Sequence, residues 1–569
     1  MRKITLTVAY ILGLLFITGC ANQRPNLAYE NTNWQKDTPP TANIRHTVYM
    51  TGDAGRIEST PVLDLLKKKL SAADENTSMV FLGNQLYPNG MPPKDEVEER
   101  QQAEYQLDVQ LSILKDFKGR PLFIPGNRDW KKYGLKGVKR QEKYIEKKLK
   151  ELDFDTDDLF LPDDGCGDFN AIDINDQLGI IAIDSEWYLH DWDQEPEIND
   201  GCEIKSLKVF DFNLQDAIRK YRNKNAIIVM HHPPVSGGIH GGRYPVKEHI
   251  FPLTAIDKSL FLPLPVVGSV GMFARAIFGS RQDLSNGQYK LLRQSVVGSA
   301  EKNGSYIFAS SHDRSMQYLT ENDQHFIVAG SATSSTPASL VESGEFAYGA
   351  AGFTQLDFYE DGSVWLQFWT ASGENGQVVF RKKIKEALEI SEDDIPTQFS
   401  EYESGITSKT LHPLEYEVTN KNGFHDLIFG EHYRELYTHQ FEFPVLHLDT
   451  FKGGVKVVKR GGGNQTRSLR LEDENGRQYS MRAMTKDVSR LLPYPFNQIS
   501  AAEYIAEDNF LSTHPFAPLA VPYLADAVKV YHTNPQFYYI PKQPILDVHN
   551  ESFGGEVYLV EERPDDDWS

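Results

Sequence analysis

The side chains of this sequence that could do chemistry gather just after its apolar, strand-like runs. Carboxylate, amide, imidazole and guanidinium groups follow five such runs in order. Loops that follow strands are where α/β folds place binding and catalytic residues. One such residue alone is more often a helix cap, a turn residue or a hydrogen-bonded histidine, but five in order indicate a functional site. The residues are Asp53; Asn84 and Tyr87; Asn127, Arg128 and Asp129; His231, His232 and His240; and His312, Asp313 and Arg314.

The elements that must position these residues alternate between strand and helix from His46 to Ser311. The strand-like runs are HTVYMT, MVFL, PLFIP, LGIIAID, AIIVM and SYIFAS, and helical patterns such as VLDLLKKKL lie between several of them. This alternation predicts an α/β fold with a mixed sheet. After Ser311 the pattern changes to hairpin-like strands, with Glu-Asp-Gly as a turn, so we expect two stacked sheets.

The five loops resemble the motifs of a known family. TGDAG, LGNQLYPNG, IPGNRDW, HHPPVSGGIHGG and SSHDR follow the order of the calcineurin-like metallophosphoesterases, most closely the tartrate-resistant, purple acid phosphatase branch. The resemblance covers about residues 45–385. It implies a four-layer α/β/β/α sandwich and a phosphate or phosphoester ligand. It also implies two metal ions of the Fe, Zn or Mn type that polarise the phosphate and supply a hydroxide nucleophile.

The resemblance also assigns a role to each position. The first metal would be held at positions Asp53, Asn84, Tyr87 and Arg314. The second would be held at positions Asn84, Asn127, His231 and His312. Position Arg128 corresponds to the catalytic histidine that assists the leaving group, and His240 would line the substrate pocket.

Three positions depart from the family pattern. Asn84 replaces the bridging aspartate, Arg128 the catalytic histidine and Arg314 a metal-binding histidine. An amide has one neutral acceptor oxygen and a non-ligating NH₂ group, so Asn84 bridges two cations poorly. The three replacements together make the pocket three charge units more positive. We therefore expect the first metal position to be lost and the second to hold a single ion, or none.

Two hypotheses follow for the pocket. In the first, Arg128 and Arg314 replace the lost metal and bind phosphate or a phosphoester with weak or absent turnover, as in a non-catalytic anion-binding or scaffold protein. In the second, one metal at the remaining position still hydrolyses phosphomonoesters slowly. The arginines could also extend into solvent and contact nothing. The sequence favours weak or absent catalysis.

The N-terminus has the pattern of an export signal. MRK precedes an apolar run over residues 4–17, and ITGC follows it. This ending resembles the bacterial lipoprotein signal, which implies a lipid anchor at Cys20, membrane attachment and an outer-membrane lipoprotein that faces the periplasm or the cell surface. A plain signal peptide or an anchor helix are the alternatives. The polar, proline-bearing residues 21–43 are typical of a tether.

The two remaining cysteines are Cys166 and Cys202. An even pair in an exported protein predicts a disulfide, and closing a loop of about 36 residues would stabilise the fold by roughly 3 to 4 kcal/mol in the chain-entropy model. The alternative is two unrelated core thiols.

The overall charge excludes one class of partner. Asp and Glu number 80 against 59 Lys and Arg, for a net charge of −21, and the acidic residues are spread along the chain. Such a chain lacks the basic surface that nucleic-acid binding needs. No nucleic-acid partner is therefore expected.

The sequence predicts a phosphoesterase domain over residues 44–385, a connector over 386–440 and a smaller α+β domain over 441–569. In the last, a glycine loop joins two strands in a kinase-like order, but a plain hairpin is the favoured interpretation. This block resembles the middle segment of long surface proteins of Bacteroidetes-type bacteria, which implies a truncated chain. The apolar insertion between His240 and Asp283 could be a lid, a membrane contact or, as favoured here, part of the core.

Overall fold

The computed structural model divides into two compact units. One comprises Met1–Cys202 and Ala217–Ile390, and the other comprises Glu203–Asp216 and Ser391–Ser569. The structure describes residues 21–41, 43–57, 59–167, 169–190, 202, 204, 207–255, 260–387, 399–413, 430, 432–461, 466–486, 508 and 511–563. The predicted signal with Cys20 and the glycine loop at 462–465 lie outside these residues.

Fourteen strands of the described chain build the first unit. They are β1 (Asn26–Leu27), β2 (Ile44–Thr51), β3 (Thr77–Leu82), β4 (Arg120–Ile124), β5 (Asn170–Asp173), β6 (Leu178–Ile183), β7 (Asn225–Met230), β8 (Ile307–Ser310), β9 (Met316–Glu321), β10 (Gln324–Ala329), β11 (Gly344–Tyr348), β12 (Phe353–Tyr359), β13 (Val364–Thr370) and β14 (Gln377–Lys385). Every residue of β3, β6 and β7 is buried. This explains why these strands read as unbroken apolar runs, since a strand covered on both faces needs no polar alternation.

These strands form two mixed sheets. One has six strands in the order β14-β13-β12-β2-β3-β4, and the other has eight in the order β1-β11-β9-β10-β8-β7-β6-β5. Strands β2, β3 and β4 are parallel, as are β6, β7, β8 and β10. The hairpin predicted at Glu-Asp-Gly joins β12 to β13.

The main helices of the first unit are α1 (Pro61–Ser71), α2 (Val97–Leu111), α3 (Asn127–Trp130), α4 (Gly134–Glu151), α5 (Ser185–Leu189), α6 (Leu207–Lys220, which ends in this unit), α7 (Val246–Ile250), α8 (Pro265–Phe278) and α9 (Gly287–Glu301). Helices cover the outer faces of the sheets. On one side, the Lys69 ammonium of α1 lies 3.5 Å from the Trp369 ring of β13. On the other, the Tyr306 hydroxyl beside β8 donates to the Ile218 carbonyl of α6 at 2.8 Å.

The inner faces of the sheets pack on each other through aromatic rings. Phe346 of β11 stacks on Phe380 of β14 with centroids 4.7 Å apart, and it lies 5.3 Å from the Phe368 ring of β13. The order of layers is therefore helix, sheet, sheet, helix, and the predicted α/β/β/α sandwich is confirmed.

The second unit is a smaller α+β domain, and besides the predicted residues 441–569 it takes in residues 203–216 and most of the predicted connector. Its helices are α10 (Ser400–Glu403), α11 (Arg434–Thr438), α12 (Val521–Val528) and α13 (Asn550–Phe553), and its strands are β15 (Ser408–Leu411), β16 (Phe441–Pro444), β17 (Val455–Gly461), β18 (Thr466–Asp473), β19 (Gln478–Lys486), β20 (Gln536–Ile540) and β21 (Glu556–Arg563). Five strands form an antiparallel sheet in the order β17-β18-β19-β21-β20. Its core includes Leu469, Met481 and Tyr558, all fully buried.

Two segments differ from the sequence-based expectation. Within the expected tether, β1 pairs with β11 and Trp34 packs against Phe380 with centroids 6.2 Å apart, because the exposed edge of the eight-stranded sheet offers free backbone groups. The expectation that the insertion packs as core is wrong. Phe261, Phe273 and Phe278 are exposed, since α8 presents only one side to the rest of the unit.

The predicted disulfide is confirmed. Cys166 and Cys202 are bonded, with Cα atoms 5.5 Å apart, and both are buried. Among the described residues, no helix has the length and apolar character needed to cross a membrane.

Candidate functional site

Eight of the predicted residues line one cavity of about 230 Å³ in the first unit. They are Asp53, Asn84, Tyr87, Asn127, Arg128, His240, His312 and Arg314, and they are joined there by Arg56, Arg275, Ser280 and Gln282. A ninth, His231, lies just behind the wall, with its Nε2 3.2 Å from Asn127 Oδ1. The structure thus brings the predicted site together.

The parallel strands explain this convergence. Asp53, Asn84 and Asn127 follow β2, β3 and β4 of the six-stranded sheet, while His231 and His312 follow β7 and β8 of the other sheet. Because parallel strands end at one edge of their sheet, residues far apart in sequence meet there. The two edges are tied by a bridge between Gly52 and Ser331.

Two glycines let the loops approach closely. Gly83 has a φ of +86°, and a Cβ there would lie 2.6 Å from His231 Nδ1. A Cβ at Gly126 would lie 2.6 Å from Asn84 Oδ1. Both positions therefore require the absence of a side chain.

The Asn84 amide occupies the centre of the site. Its Nδ2 donates to Asp53 Oδ1 at 2.8 Å and to Asn127 Oδ1 at 2.9 Å. Its Oδ1 accepts from the backbone N–H of Arg128 at 2.7 Å. Because that N–H can only donate and those two oxygens only accept, the partners determine the orientation of the amide. Asn84 therefore turns hydrogens, not a lone pair, towards the position of a bridging metal, and this corrects the expectation that its oxygen serves as a ligand.

The site nevertheless has room for one cation beside Asn127. His231 Nδ1 lies 2.7 Å from the Leu82 carbonyl, and His312 Nε2 lies 3.0 Å from the Gln282 carbonyl. A carbonyl only accepts, so these nitrogens carry the hydrogens. Burial lowers the pKa of both histidines, well below the usual value for His312. The rings are therefore neutral, with lone pairs on His231 Nε2 and His312 Nδ1.

These two nitrogens are 3.2 Å apart, and His231 Nε2 lies 3.2 Å from Asn127 Oδ1. Ligands about 2.1 Å from one metal, at an angle of about 100°, are separated by about 3.2 Å. Two imidazole lone pairs and an amide oxygen thus converge without a hydrogen between the two rings. This donor set fits one borderline metal ion.

The third imidazole of the cluster, His232, does not join this set. The ligand atoms of His231, His232 and His312 lie within 4.8 Å of one another. However, His232 Nε2 is 2.7 Å from Gln282 Oε1, and its Nδ1 is 2.8 Å from Ser185 Oγ. Both nitrogens are already satisfied, so His232 orients Gln282.

The first predicted metal position is less suited to a cation. Asp53 Oδ2 accepts from the Ser311 hydroxyl, and Oδ1 accepts from Asn84. Both carboxylate oxygens are therefore engaged, and the remaining groups there are Tyr87 and the Arg314 guanidinium. A guanidinium repels a metal and has no acceptor.

Guanidinium groups dominate the charge of the cavity. Four arginines line it against one carboxylate, Asp53. These four guanidiniums and one carboxylate give the lining a formal charge of +3 before its histidines are counted, in a chain of net charge −21. Arg56 and Arg128 both approach the Tyr87 ring, at 5.3 and 5.4 Å from its centroid. The cavity is thus suited to an anion with several acceptor oxygens.

Comparison with known proteins adds likenesses of low identity. No family model matches the sequence, and no curated protein matches it. Similar solved structures include GAP50, the anchor in the inner membrane complex of Plasmodium, at 16% identity and a TM-score of 0.37, covering 60% of this chain and 90% of that one. The purple acid phosphatase PPD1 of yellow lupin is similar at 12% identity and a TM-score of 0.35, and the likeness covers 59% of this chain and 53% of that one. PhoD is similar at 7% identity and a TM-score of 0.38, and the likeness covers 61% of this chain and 71% of that one. These values are too low to establish function.

His240 is held by an ion-pair network that the sequence did not reveal. Its Nδ1 lies 2.9 Å from Asp283 Oδ1, and Arg275 of α8 donates to both oxygens of the same carboxylate. Burial raises the pKa of Asp283, but the hydrogen bonds from His240 and Arg275 outweigh it and hold this pKa well below its usual value. The His240 ring packs on His312 at 3.8 Å between centroids. Its Nε2 has no hydrogen-bond partner among the described residues and can face a ligand in the cavity.

Two predicted acidic residues support the loops and do not line the cavity. Asp129 accepts from the backbone N–H groups of Asn84, Leu86 and Gly126. Asp313 accepts from the backbone of His240 at 3.1 Å and from Ser236 Oγ. Both are fully buried, so their carboxylates position loops.

Sequence reasoning missed four lining residues. Arg56 lies only three residues after Asp53, in the same loop, and this spacing could have revealed it. Arg275, Ser280 and Gln282 lie in the insertion, whose apolar character drew attention away from its polar residues. No local signal places them at the site, because their contacts depend on the path of the insertion.

Proposed function

We propose that this protein binds phosphate or a phosphoester in the arginine-lined cavity and hydrolyses phosphomonoesters weakly or not at all. One observation carries the proposal. The Asn84 amide donates hydrogen bonds to Asp53 and Asn127, where a bridging carboxylate would hold two metals. An N–H donor between these oxygens removes the anionic bridge that a dinuclear centre needs.

The arginines supply the affinity in this proposal. Among the described residues, Arg128 and Arg314 form no ion pair, whereas Arg275 is paired with Asp283. Unpaired guanidiniums can form forked hydrogen bonds with phosphate oxygens. A single charge-assisted hydrogen bond contributes about 1.5 to 3 kcal/mol, so each arginine is worth about one to two orders of magnitude in affinity.

The convergent lone pairs favour a second candidate, slow hydrolysis with one metal. His231, His312 and Asn127 would hold the ion, which when bound would polarise a phosphate oxygen. His240 Nε2 could then exchange a proton with the leaving group, and the arginines would orient the ester. The metal would be of the Fe, Zn or Mn type.

The cellular setting remains part of the proposal. The N-terminal pattern supports a lipoprotein attached at Cys20 to the outer membrane, facing the periplasm or the surface. Such a protein would meet phosphoesters outside the cytoplasm. Mass spectrometry of the protein purified from membranes would detect the acyl chains at Cys20.

Calorimetric titration of the full chain with inorganic phosphate tests the binding. Arg128→Gln and Arg314→Gln are each expected to weaken phosphate binding about 10- to 100-fold. Arg222→Gln, at an exposed arginine outside the cavity, is the matched control and should bind as the wild type does. Equal affinity in all four proteins would contradict the proposal.

Turnover of p-nitrophenyl phosphate separates the two candidates. We expect little hydrolysis with or without Mn²⁺ or Zn²⁺. Clear turnover that a chelator abolishes would support the single-metal enzyme and contradict the first candidate. The triple variant Asn84→Asp, Arg128→His, Arg314→His should gain metal-dependent activity, since it restores the family residues at all three positions.

A further inference from the structure

Helix α8 presents an apolar face to solvent. Val270, Phe273, Ile277 and Phe278 have exposures of 64%, 68%, 48% and 75%. Their spacing places them on one side of the helix, where i, i+3, i+7 and i+8 coincide. The neighbouring Leu260–Leu262 are also exposed, at 46% to 58%. We call Leu260–Leu262 and these four α8 residues the apolar face.

All the exposed side chains of α8 that the structure describes are apolar. Gly271 and Ala274 complete its exposed side. The one charged residue of α8, Arg275, is turned away and binds Asp283. A surface helix normally presents charged and polar side chains to water, and a contiguous exposed apolar area marks an interaction site.

The other side of α8 is fixed to the protein. A Cβ at Gly268 would lie 2.4 Å from the His249 carbonyl, so α8 approaches α7 as closely as a glycine allows. Arg275 anchors the C-terminal half through its paired hydrogen bonds to Asp283. The helix therefore has one fixed orientation, and its apolar side is the one left outside.

A series of backbone contacts connects the start of the described chain with the loop that precedes α7. Asn22 forms a bridge with Ala338, and the next residue, Ser339, donates its backbone N–H to Gly237 at 2.9 Å. Gly237 is three residues from His240, which contacts the Asp283 that binds α8. These contacts connect Asn22 with the loop that carries His240, whose partner Asp283 also binds α8.

The sequence ahead of Asn22 includes the apolar run over residues 4–17. The rim of the apolar face is cationic: among the described residues of 241–255 and 260–279, the exposed charged side chains are Arg243 and Lys247. The Lys247 ammonium lies 4.8 Å from the Phe261 ring. Apolar side chains flanked by cations match a bilayer surface, whose acyl region is apolar and whose phosphates are anionic.

We propose that the apolar face docks on a lipid bilayer. The exposed side chains of α8 that the structure describes offer no hydrogen-bonding group, whereas protein interfaces usually carry about one hydrogen bond per 100–200 Å². A bilayer requires no such partner. Arg275 extends from α8 to the cavity, on the side of the helix opposite the apolar face. Docking would therefore hold the cavity roughly 10 Å, one helix diameter, from the lipid headgroups.

Spin labelling of the full chain tests this docking. In the variant Cys20→Ser the only other cysteines are joined as a disulfide, so Phe273→Cys adds a unique labelling site. The probe is a vesicle of phosphatidylcholine and phosphatidylglycerol at three to one. On addition of vesicles, the label at position 273 should become severalfold less accessible to a water-soluble nickel complex and more accessible to oxygen. The same label placed by Tyr105→Cys, an exposed residue of α2, should not change.

Three outcomes would overturn the proposal. One is co-sedimentation with vesicles while the label at position 273 stays open to the nickel complex. Another is failure of the protein to co-sediment at all. A third is concentration-dependent dipolar broadening at position 273 without vesicles, which would assign the apolar face to a second copy of the chain.

Discussion

Asn84 carries an NH₂ group where the aspartate of the family that this sequence resembles carries a second oxygen. This one group changes a hydrogen-bond acceptor into a donor. The amide nitrogen donates where a carboxylate oxygen would accept. Asp53 and Asn127 are then held together by hydrogen bonds and need no cation between them. The loops around Asn84 can therefore keep their positions without a metal at this point.

Asn84→Asp is expected to destabilise the metal-free protein by about 2 to 4 kcal/mol, because it removes two hydrogen bonds and places a second carboxylate beside Asp53. Divalent metal should restore the loss by neutralising the pair. Thermal unfolding with a chelator and with Mn²⁺ measures both effects. Asn375→Asp, at an exposed residue that bonds Lys68, should show neither. Equal behaviour of the two variants would contradict the role assigned to Asn84.

At the scale of elements, strand ends and glycine loops determine the site. Parallel strands β2, β3 and β4 deliver Asp53, Asn84 and Asn127 to one edge. The loops can meet only because Gly83 and Gly126 lack side chains.

Gly83→Ala should therefore lower the free energy of unfolding by more than its backbone conformation alone would cause. A left-handed backbone conformation at a non-glycine residue lowers the free energy of unfolding by about 1 to 2 kcal/mol. Gly373 also has a positive φ, of +73°, but nothing lies within 4 Å of its Cβ position. We expect urea unfolding to show a loss of about 1 to 2 kcal/mol for Gly373→Ala and about 3 kcal/mol or more for Gly83→Ala, which must also displace His231. Equal losses would show that His231 moves freely.

The disulfide is a second feature at this scale. Replacing both cysteines by Cys166→Ser and Cys202→Ser should lower the free energy of unfolding by roughly 3 to 4 kcal/mol, because the loop is no longer closed in the unfolded chain. A reductant should destabilise the wild type by a similar amount and leave the double variant unchanged. Denaturation with and without reductant makes the comparison, and a reductant effect on the double variant would point to another cause.

At the scale of the whole molecule, buried carboxyl groups control the response to pH. Burial raises the pKa of Asp129, Asp184 and Glu142 to about 7, and that of Glu186 to about 8. In the unfolded chain such groups titrate near pH 4. The folded state thus holds protons that the unfolded state has released, so stability is lost as pH rises through 7 and 8. Buried histidines act in the opposite sense below about pH 6.5, and so does Lys385, whose pKa is lowered by burial to about 8, but four carboxyls outweigh this one ammonium.

The free energy of unfolding should therefore fall between about pH 6.5 and 8. Each such group can contribute up to about 1.4 kcal/mol per pH unit. Glu186→Gln should flatten the profile, and Glu98→Gln, at an exposed residue of α2, should leave it unchanged. Urea unfolding at several pH values measures the slopes. A stability that rises from pH 6.5 to 8 would contradict the raised pKa values.

The whole-molecule architecture followed largely from local sequence. The apolar runs of β3, β6 and β7 predicted the buried strands, because both faces are covered. The order of the loops predicted which residues meet, because parallel strands end at one edge. The cysteine pair predicted the disulfide. Residues 22–37 and the apolar insertion could not be placed this way, since what covers them depends on distant parts of the chain.

The sequence by itself determined which groups reach the site: Asn84, Arg128 and Arg314 at loop positions set by strands. Only the tertiary structure decided what their atoms do. The Asn84 amide is oriented by partners 31 and 43 residues away, and the lone pairs of His231 and His312 are directed by the carbonyls of Leu82 and Gln282. Hydrogen-bond direction depends on which donor faces which acceptor, and residue order does not encode that until the chain has folded.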